Sequence, residues 1–364
     1  MRIGFDARAA FLDPHRGFGR VAAALADALV RALPGDMVLF VPHDAPVPAP
    51  WYSVAAAVVP LCRPRRGAFA FDGPAWHFTL RRHHIDVLHL PTWTVPRHLP
   101  VPVVATCYDA TPLRFPSPPE RWRRHRARQA IRSLVRADLV HAISAHAAAE
   151  LSAFVGVARE RIRVVHLGVS EVFSPAAQPQ EPAHLLFVGG ADPHKNVAMI
   201  LDMLTLVGSE QMPPLVLAGA AATNRHVRAL ARARGLDERR VRYVGPTDDH
   251  ELAELYRRAL ATLVPSRNEG FGLPALEAMA CGCPVLAARA GALPEVCGGV
   301  ALLLDPDDAP AWLGALQTLR GNPAQRSALA AAGLAHARGF TWERSARALL
   351  GLYREVTTKG RVRA

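Results

Sequence analysis

Two carboxylates and two glycines lie close together in residues 264–277, V-P-S-R-N-E-G-F-G-L-P-A-L-E. A strand is predicted to end near Pro265, and a helix is predicted from Pro274 onward. Proline suits the first helical position, because its missing N–H would have no acceptor there. A strand, a glycine loop and a helix start in this order are typical of sites that bind phosphate groups.

The amides of Phe271, Gly272 and Leu273 are expected to point out of the start of that helix. N–H groups without an intrahelical acceptor, together with the positive end of the helix dipole, favour a bound anion. Gly270 and Gly272 have no side chains, so the backbone can approach a ligand closely. These features predict a diphosphate at this turn.

Glu269 and Glu277 flank the predicted anion site. Glu277, expected in the first helical turn, would be repelled by a diphosphate unless it accepted hydrogen bonds, as a ribose diol allows. Glu269 lies where the sugar of a sugar diphosphate would sit. Taken singly, Glu277 could be a helix-stabilising acid and Glu269 a solvated loop residue. Their joint spacing around Gly-Phe-Gly-Leu-Pro favours a binding site.

A second turn, F-V-G-G-A-D-P-H-K-N at 187–196, has the same design, with a strand that ends in glycines before a helix. Lys195 lies where an ammonium could reach a diphosphate and offset the charge of a leaving group. An ordinary surface lysine is the alternative. The position of Lys195 at the carboxyl end of a strand favours a functional role.

Arginine gives the chain most of its formal net charge of +12. Residues Arg121–Arg136, R-W-R-R-H-R-A-R-Q-A-I-R-S-L-V-R, contain seven arginines. Such a helix could simply be solvated, or it could adhere to an anionic membrane surface. Nucleic acid is not expected as a partner, because no recognised nucleic-acid module accompanies the charge.

Composition also bears on location. No apolar run approaches the ~18 residues of a membrane-spanning helix, and the first residues resemble a strand rather than a signal peptide. The cysteines have no zinc-site spacing, which favours reduced thiols. We therefore expect a cytoplasmic protein, with peripheral contact at the inner membrane face as an option. The cysteines are Cys62, Cys107, Cys281, Cys283 and Cys297.

Short apolar runs alternate with helical patterns along all 364 residues, which are too many for one ordinary core. Runs such as L-L-F-V at 185–188 are apolar throughout, as in parallel strands that are covered on both faces. The alternation predicts an α/β fold of two facing, doubly wound Rossmann-like domains with a ligand cleft between them.

The proline-rich segment 173–183 is the predicted linker between these domains. It separates an N-terminal domain over 1–172 from a C-terminal domain over 184–340, and 341–364 is expected to be a helix that crosses back. Residues 42–50 and 62–73 are predicted loops.

Four segments together closely resemble the motifs of glycosyltransferase family 4. They are V-G-G-A-D-P-H-K-N at 188–196, V-R-Y-V-G-P-T-D-D-H-E-L-A-E-L-Y at 241–256, the segment 265–287, and G-A-L-P-E-V at 291–296. The resemblance extends over most of the chain, because M-R-I-G-F-D-A-R and Gly17-Phe-Gly-Arg20 are similar to the family's opening strand and glycine loop. It implies a retaining enzyme of the GT-B fold.

The resemblance also implies residue roles. Lys195 would bind the diphosphate, Glu269 would contact sugar hydroxyls near the reacting carbon, and Glu277 would bind the ribose. Asp109 would lie beside the sugar or acceptor, and the base would be surrounded by Tyr243, Val244 and Asp249–Leu252, including Leu252. The diphosphate would be contacted by Gly17 and Gly19 from the first domain and by the amides of Phe271, Gly272 and Leu273.

The sequence departs from the family's pattern at two positions. Gly190 stands beside the diphosphate where the family often has an arginine, so Lys195 would take more of the charge, or Arg267 or Arg20 would replace that arginine. Tyr108 stands where the family often has a histidine before Asp109. A tyrosine could still form a hydrogen bond, but it would not titrate near neutrality.

Three other classes remain open. A nicotinamide dehydrogenase is suggested by G-F-G-R-V-A at 17–22, but that loop lies too far from its strand. A non-hydrolysing sugar-nucleotide epimerase shares the fold but should lack the paired glutamates. A basic membrane- or polyanion-binding protein with a relic site would not need Lys195, Glu269 and Glu277 intact.

The expected activity is transfer of a hexose from a nucleoside diphosphate sugar to a glycan or lipid-linked glycan in polysaccharide biosynthesis. GDP-mannose is the expected donor, because G-G-x-D-P-x-K-N at 189–196 resembles the mannosyltransferase branch. No metal or other cofactor is expected, since helix amides and Lys195 can bind the diphosphate. Ser144 matches a family serine, and helix capping is its favoured role.

Overall fold

The chain forms two units, each built around a parallel sheet, in a computed structural model that describes residues 1–12, 17–61, 73–115, 121–178, 180–208 and 211–363. The first unit comprises Met1–Gly168 and Thr341–Ala364. The second unit comprises Val169–Phe340.

In the described part of the first unit, seven strands form a sheet in the order β3-β2-β1-β4-β5-β6-β7. The strands are β1 (Ile3–Asp6), β2 (Met37–Pro42), β3 (Ala57–Leu61), β4 (Val87–Leu90), β5 (Val103–Cys107), β6 (Leu139–Ala142) and β7 (Ile162–Val164). The helices are α1 (Arg8–Leu12), α2 (Gly17–Ala32), α3 (Ala49–Val54), α4 (Gly73–Arg82), α5 (Thr111–Arg114), α6 (Arg121–Arg132) and α7 (Ala145–Glu150).

In the described part of the second unit, six strands have the order β10-β9-β8-β11-β12-β13. The strands are β8 (His184–Val188), β9 (Leu215–Ala218), β10 (Val241–Val244), β11 (Ala259–Val264), β12 (Val285–Ala288) and β13 (Leu302–Leu304). The helices are α8 (Val197–Thr205), α9 (Ala220–Thr223), α10 (Arg225–Ala233), α11 (Asp249–Arg257), α12 (Leu273–Ala280), α13 (Leu293–Cys297), α14 (Ala309–Gly321) and α15 (Pro323–Ala337). The last helix, α16 (Trp342–Arg363), belongs to the first unit.

Every strand pair in both sheets is parallel. The inner strands β1, β4, β5, β9, β11 and β12 are buried along their whole length, whereas β3, β7 and β13 at the edges are mostly half-buried. Inner strands with both faces covered explain the continuous apolar runs. The predicted doubly wound α/β class is confirmed.

The order of the strands reverses once in each sheet. In the second sheet the chain runs outward through β8, β9 and β10, then returns so that β11 pairs with the other side of β8. Loops that leave the carboxyl ends of two such strands diverge and open a crevice, which is the usual ligand position in doubly wound sheets. The loops after β8 and β11 are the two that carry Lys195 and Glu269.

Local structure departs from the sequence prediction at several places. Helix α3 begins at Ala49, inside the predicted loop 42–50, because Pro50 suits the first turn of a helix. The arginine-rich residues 121–136, predicted as one helix, form α6 followed by a 3₁₀ turn over Ser133–Arg136. The predicted loop 62–73 lies outside the described residues except for Gly73.

The division between the units falls after Gly168, ahead of the predicted linker over 173–183. The first residues of that segment are attached to α11 in the second unit. The Phe173 ring lies 5.9 Å from the Tyr256 ring, and Arg257 donates hydrogen bonds to the carbonyls of Val172 and Ser174.

A buried chain of hydrogen bonds joins α16 to the first sheet. The Tyr353 hydroxyl lies 2.6 Å from His89 Nδ1, and His89 Nε2 lies 2.8 Å from Thr106 Oγ1. Thr106 Oγ1 lies 3.2 Å from His141 Nδ1, and His141 Nε2 lies 2.8 Å from the Val165 carbonyl. A carbonyl only accepts, so His141 donates to Val165, and each earlier group donates to the next one from Tyr353 onward.

Candidate active site

Lys195 and Glu269 meet at the crevice where the second sheet reverses its strand order. Lys195 Nζ lies 2.7 Å from Glu269 Oε1 and 2.9 Å from Oε2, so the ammonium binds both carboxylate oxygens. The Glu269 residue is 9% exposed, and 22% of the Lys195 side chain is exposed. Each charge is therefore compensated by the other, and both side chains retain contact with the crevice.

Ser266 completes the contacts of Glu269. Its hydroxyl, in a residue that is 1% exposed, donates to Glu269 Oε1 at 2.7 Å. Burial by itself would raise the pKa of Glu269, but the charge of Lys195 and hydrogen bonds from Lys195 and Ser266 outweigh it and lower the pKa below its ordinary value. Glu269 is thus a carboxylate at neutral pH, as an acceptor for sugar hydroxyls must be.

Gly291 fixes the backbone of the Glu269 loop. A Cβ at Gly291 would lie 2.5 Å from the Glu269 nitrogen and 2.8 Å from its carbonyl oxygen, and the residue has a φ of +61°. The Glu269 carbonyl also accepts the Ala292 N–H at 3.0 Å. Only glycine combines this close approach with a left-handed backbone at low cost.

Helix α12 begins directly after the Glu269 loop. Gly272 is its N-cap residue at φ +106°, and the Ala275 N–H donates to the Gly272 carbonyl at 3.0 Å. Pro274 has no N–H and takes the second helical position, one later than predicted, because the helix begins at Leu273. The amides of Gly272 and Leu273 therefore have no acceptor within the helix. The preceding residue, Phe271, packs its buried ring against the ring of Phe340.

Glu277 lies beyond the first turn of α12, so its predicted position in the first turn is wrong. This position also weakens the alternative that Glu277 is a first-turn acid that interacts with the helix dipole. The residue is 2% exposed, and its Oε2 accepts the hydroxyl of the fully buried Tyr256 at 3.0 Å. A carboxylate in this position needs polar partners, since an uncompensated buried charge is costly. Tyr256 on α11 supplies one of these hydrogen bonds.

Asn196 connects three of the loops around Lys195. It takes a left-handed backbone at φ +56°, and its Nδ2 donates to the carbonyls of Pro265 and Pro306 at 3.3 Å and 2.7 Å. The adjacent Arg267 directs its guanidinium to Asp307 in an exposed ion pair at 2.5 Å. Arg267 is therefore engaged away from Lys195, and since exposed pairs contribute little, a ligand could still displace Asp307.

Gly190 follows β8, and little space is available for a side chain there, because a Cβ would lie 3.0 Å from the Asp192 carboxylate. The residues expected around the base lie farther along the same carboxyl edge. Tyr243 and Val244 end β10, and the Arg228 guanidinium stacks on the Tyr243 ring at 4.3 Å. Leu252, on α11, is 5% exposed and belongs to the core.

In the first unit, Asp109 follows β5 and its Oδ1 accepts the Thr111 N–H at 2.9 Å. The buried Glu150 accepts the neighbouring Ala110 N–H and an Arg114 N–H. Burial opposes ionisation of Glu150, but hydrogen bonds from His146, Arg114 and Ala110 lower its pKa to about 2. A carboxylate that stays ionised thus fixes the loop on which Asp109 lies.

Tyr108 cannot replace a histidine as a titrating group. The residue is 8% exposed, its hydroxyl donates to the Pro91 carbonyl at 3.1 Å, and burial raises its pKa above the ordinary value. Its ring lies among Phe18 and Trp93, at 6.4 Å and 6.5 Å between centroids. Gly17 and Gly19, in the first turn of α2, are exposed and buried respectively.

Four residues around the site have roles that were not predicted from the sequence: Ser266, Asn196, Gly291 and Tyr256. Ser266 lies three residues before Glu269, a spacing that places a hydroxyl near a loop carboxylate. A further signal is the rarity of lysine: Lys195 is one of two lysines among 43 lysines and arginines, so a compact ammonium is used here in place of a guanidinium fork. Ser144 caps α7 through the Ala147 N–H, as predicted.

Other parts of the described chain bear on metal, thiol and membrane chemistry. Among the described residues, no cluster of three or more His, Cys, Asp or Glu side chains could bind a metal ion. The cysteines at 107, 281, 283 and 297 are buried thiols, and burial raises the pKa of Cys281 and Cys283 to about 12. Within the same residues, no helix is both long and apolar enough to cross a bilayer.

Known proteins are similar to this chain in sequence and in fold. Residues 170–335 match the family described as Glycosyl transferases group 1, and residues 15–172 match the one described as Glycosyltransferase Family 4. O-antigen chain mannosyltransferase B of Escherichia coli is 30% identical over 310 residues, which cover 81% of this chain and 78% of that protein. A D-inositol 3-phosphate glycosyltransferase of Jonesia denitrificans is 39% identical over 179 residues, which cover 46% of this chain and 42% of that protein.

Two solved structures have the same fold over nearly the whole chain. Sucrose-phosphate synthase from Thermosynechococcus elongatus has a TM-score of 0.76 at 22% identity, over 99% of this chain and 100% of that one. WaaG, a glycosyltransferase involved in lipopolysaccharide biosynthesis, has a TM-score of 0.71 at 16% identity, over 98% of this chain and 99% of that one.

Two doubly wound units with a crevice at the sheet reversal define the GT-B class of glycosyltransferases. The chain belongs to glycosyltransferase family 4. The predicted family, fold class and enzyme class are confirmed.

Proposed function

We propose that this enzyme is a retaining hexosyltransferase, which moves mannose from GDP-mannose to a glycan or lipid-linked glycan in polysaccharide biosynthesis. The observation that carries the proposal is the Lys195–Glu269 pair beside the start of α12. A cation, a carboxylate and helix amides at one crevice of the second unit support binding of the diphosphate, the sugar and a phosphate oxygen, respectively.

The pair retains capacity for a donor. An ammonium has three N–H groups, and Lys195 uses two on Glu269, which leaves one for a phosphate oxygen. A carboxylate offers about four lone-pair sites, of which Lys195 and Ser266 occupy three in Glu269. The remaining site can accept a sugar hydroxyl. Glu269 would thereby orient the hexose while Lys195 stabilises the departing diphosphate.

Retention follows if the acceptor hydroxyl attacks the anomeric carbon on the face that the diphosphate leaves. The bond from the anomeric carbon to the phosphate oxygen breaks as the new glycosidic bond forms, and the hydroxyl proton passes to a diphosphate oxygen. Charge then accumulates on the leaving group. Lys195 and the amides of Gly272 and Leu273 would stabilise that charge, so neither a protein nucleophile nor a metal ion or other cofactor is proposed.

The rest of the donor would extend along the same carboxyl edge. Glu277, fixed by Tyr256, would accept the two ribose hydroxyls, and Tyr243, Val244 and Leu252 would surround the base. Gly190 would lie beside the diphosphate, with Phe271 shaping the turn and Arg267 as an exchangeable cation. The roles of Asp109, Gly17 and Gly19 in the first unit stay predictions from the family resemblance.

Mannose is favoured by a relative that matches 81% of this chain, since that protein is described as an O-antigen chain mannosyltransferase. A nucleotide donor is supported by a similar structure, HepE of Anabaena, which was solved with UDP and glucose. The arginines of 121–136 favour work at the cytoplasmic face of an anionic membrane.

The deciding experiment pairs a binding panel with a transfer assay. GDP-, UDP-, ADP- and dTDP-sugars are compared by thermal shift, and the best donor is then offered with short glycans and lipid-linked glycans. We expect GDP-mannose to give the largest shift and the product to retain the anomeric configuration by NMR. An inverted product would overturn the retaining mechanism. Absence of both transfer and donor hydrolysis with every sugar nucleotide would favour a relic site.

A further inference from the structure

A cavity of about 500 Å³ opens in the first unit at the edge of the sheet where the strands begin. Its floor is apolar, and its rim carries Arg97, His98, Arg136 and a single acid, Asp138. Strands β5 and β6 start at this cavity, whereas Asp109 follows the other end of β5. Those ends are about 13 Å apart, at ~3.3 Å per strand residue, so the cavity is separate from the proposed acceptor position.

Among the described residues of this edge, the positive charge of four arginines exceeds the negative charge of Asp138. No carboxylate of that part of the chain pairs with Arg81, Arg82, Arg97 or Arg136. Asp138 is itself engaged, because its carboxylate accepts the Val103 N–H at 2.9 Å. A guanidinium has five N–H donors, and Arg136 directs one of them to the Val95 carbonyl, so most remain available to an anion.

Helix α4 extends the same surface. A second cavity, of about 620 Å³, is lined by His77, Phe78, Arg81 and Arg82. His77 Nε2 lies 2.6 Å from the His98 carbonyl, which joins the helix to the rim of the first cavity. Phe78 is 68% exposed, so an aromatic ring projects between arginines.

We propose that this amino-edge surface, defined as His77, Phe78, Arg81, Arg82, Arg97 and Arg136, docks on a bilayer that contains anionic phospholipid, with a headgroup phosphate in the cavity between Arg97 and Arg136. The inference rests on the proposed function, since a lipid-linked acceptor would bring the enzyme to a membrane. It adds a defined headgroup site and an aromatic anchor to the arginines of 121–136.

The chemistry of the surface favours a bilayer over a soluble polyanion. Clustered arginines are attracted to an anionic leaflet, and an aromatic ring is stabilised at the membrane–water interface. A soluble polyanion would use the arginines but would gain nothing from Phe78. The positive charge of this surface also affects His83. Burial is the larger cause that lowers the pKa of His83, and the charges of Arg82 and Arg2 lower it further.

Vesicle sedimentation tests the docking surface directly. The full chain is mixed with vesicles of phosphatidylcholine alone and with vesicles in which a quarter of the lipid is phosphatidylglycerol. We expect binding to the anionic vesicles only. Charge reversal at two arginines, Arg81→Glu with Arg97→Glu, should weaken the partition coefficient at least about tenfold. Phe78→Ser should weaken it several-fold.

The matched control reverses two exposed arginines of the second unit, Arg225→Glu with Arg338→Glu, and changes the net charge equally. It should bind the anionic vesicles within about twofold of the wild type. An equal loss in this control, or unchanged binding by Phe78→Ser, would overturn docking through the amino-edge surface. Failure of the wild type to bind anionic vesicles would overturn it as well.

Two further measurements separate the possible failures. Displacement of the protein from vesicles by millimolar inorganic phosphate would identify free phosphate as the ligand and overturn the lipid headgroup. Sugar transfer to a water-soluble glycan should be unchanged in both double variants, because neither touches the Lys195 crevice. Intact transfer with lost docking supports the inference, whereas docking without any transfer would refute the proposed function alone.

Discussion

Lys195 and Glu269 are 74 positions apart in the chain, yet the Lys195 ammonium binds both oxygens of the Glu269 carboxylate. The contact arises because β8 and β11 are neighbours in the sheet, so that the loops after them meet at its carboxyl edge. Each charge is therefore compensated by the other without a bound donor, and these two side chains need little rearrangement when a donor binds.

Removal of the ammonium should slow the chemical step. Lys195→Ala is expected to lower kcat at least tenfold, about 1.4 kcal/mol in barrier, because the leaving diphosphate loses its cation. Lys195→Arg should rescue only part of the loss, since a guanidinium fork differs in length and geometry from an ammonium. Steady-state transfer assays on folded variants measure both. Wild-type kcat in Lys195→Ala would refute the assigned role.

Ser266 should set the acid limit of activity. The pKa of Glu269 is lowered in the folded protein, so its carboxylate form is present above that pKa and is lost as the pH falls through it. Ser266→Ala removes a hydrogen bond that favours the charged form, so the pKa should rise and the acid limb of the kcat profile should move to higher pH. Kinetics from pH 4 to 8 check the direction. An unmoved acid limb with a uniformly lower kcat would indicate a structural role only.

Tyr256→Phe tests the assignment of Glu277 to the nucleotide. The variant keeps the ring that packs on Phe173 and removes the hydroxyl that Glu277 accepts. A hydrogen bond to a buried charge contributes about 1.5–3 kcal/mol, so the Kd for the nucleoside diphosphate should rise at least about tenfold. Calorimetric titration gives the Kd, and Glu277→Ala should lower transfer at least as much. An unchanged Kd in both variants would contradict the ribose contact.

Gly291→Ala and Gly282→Ala form a matched pair. Both glycines have left-handed backbones, at φ +61° and +73°, but a Cβ at Gly282 meets nothing within 4 Å whereas one at Gly291 overlaps the Glu269 backbone. Each alanine should cost about 1–2 kcal/mol of stability from its φ alone. Only Gly291→Ala should also displace Glu269 and reduce transfer. Chemical denaturation and transfer rates separate the effects, and equal transfer in both variants would contradict the positioning role of Gly291.

The local design of the site could be predicted from the sequence, but its contacts could not. A strand, glycines and a helix start are adjacent in the chain, so Lys195 and Glu269 could each be placed at a strand end. Their pairing depends on which strands are neighbours, and the sequence does not state the order of the sheet. Likewise, the position of Glu277 relative to the first turn depends on where α12 begins, and Pro274 proved to be the second helical residue.

The hydrogen-bond partners of hydroxyl groups could not be predicted from the sequence either. Tyr108 replaces a family histidine, and the sequence leaves its hydroxyl available to a ligand, but in the fold that hydroxyl donates to the Pro91 carbonyl. His89 and Tyr353 are separated by 264 positions, and each alone is typical of an ordinary core residue. Only the return of α16 to the first sheet brings them together.

The buried chain from Tyr353 to Val165 predicts that the first unit loses stability in mild acid. Burial lowers the pKa of His141 to about 4, and burial together with the charge of His141 lowers the pKa of His89 well below its ordinary value of 6.5. The unfolded chain takes up protons at these histidines below about pH 6.5, whereas in the folded chain His141 stays neutral down to about pH 4 and burial also disfavours protonation of His89. The free energy of unfolding should therefore fall with pH across this window, by roughly 2 kcal/mol from His141 at pH 5 and by a further loss in the same direction from His89.

Urea denaturation at pH 7 and pH 5 measures that loss, and Thr106→Val provides the sharper test. The valine removes the hydroxyl that accepts from His89 and donates to His141, so both imidazoles lose a partner and the variant should be less stable already at pH 7. His141→Gln should instead reduce the difference between pH 7 and pH 5, because it deletes one titrating group. A pH dependence in His141→Gln as steep as that of the wild type would show that the acid sensitivity comes from groups outside this chain of hydrogen bonds.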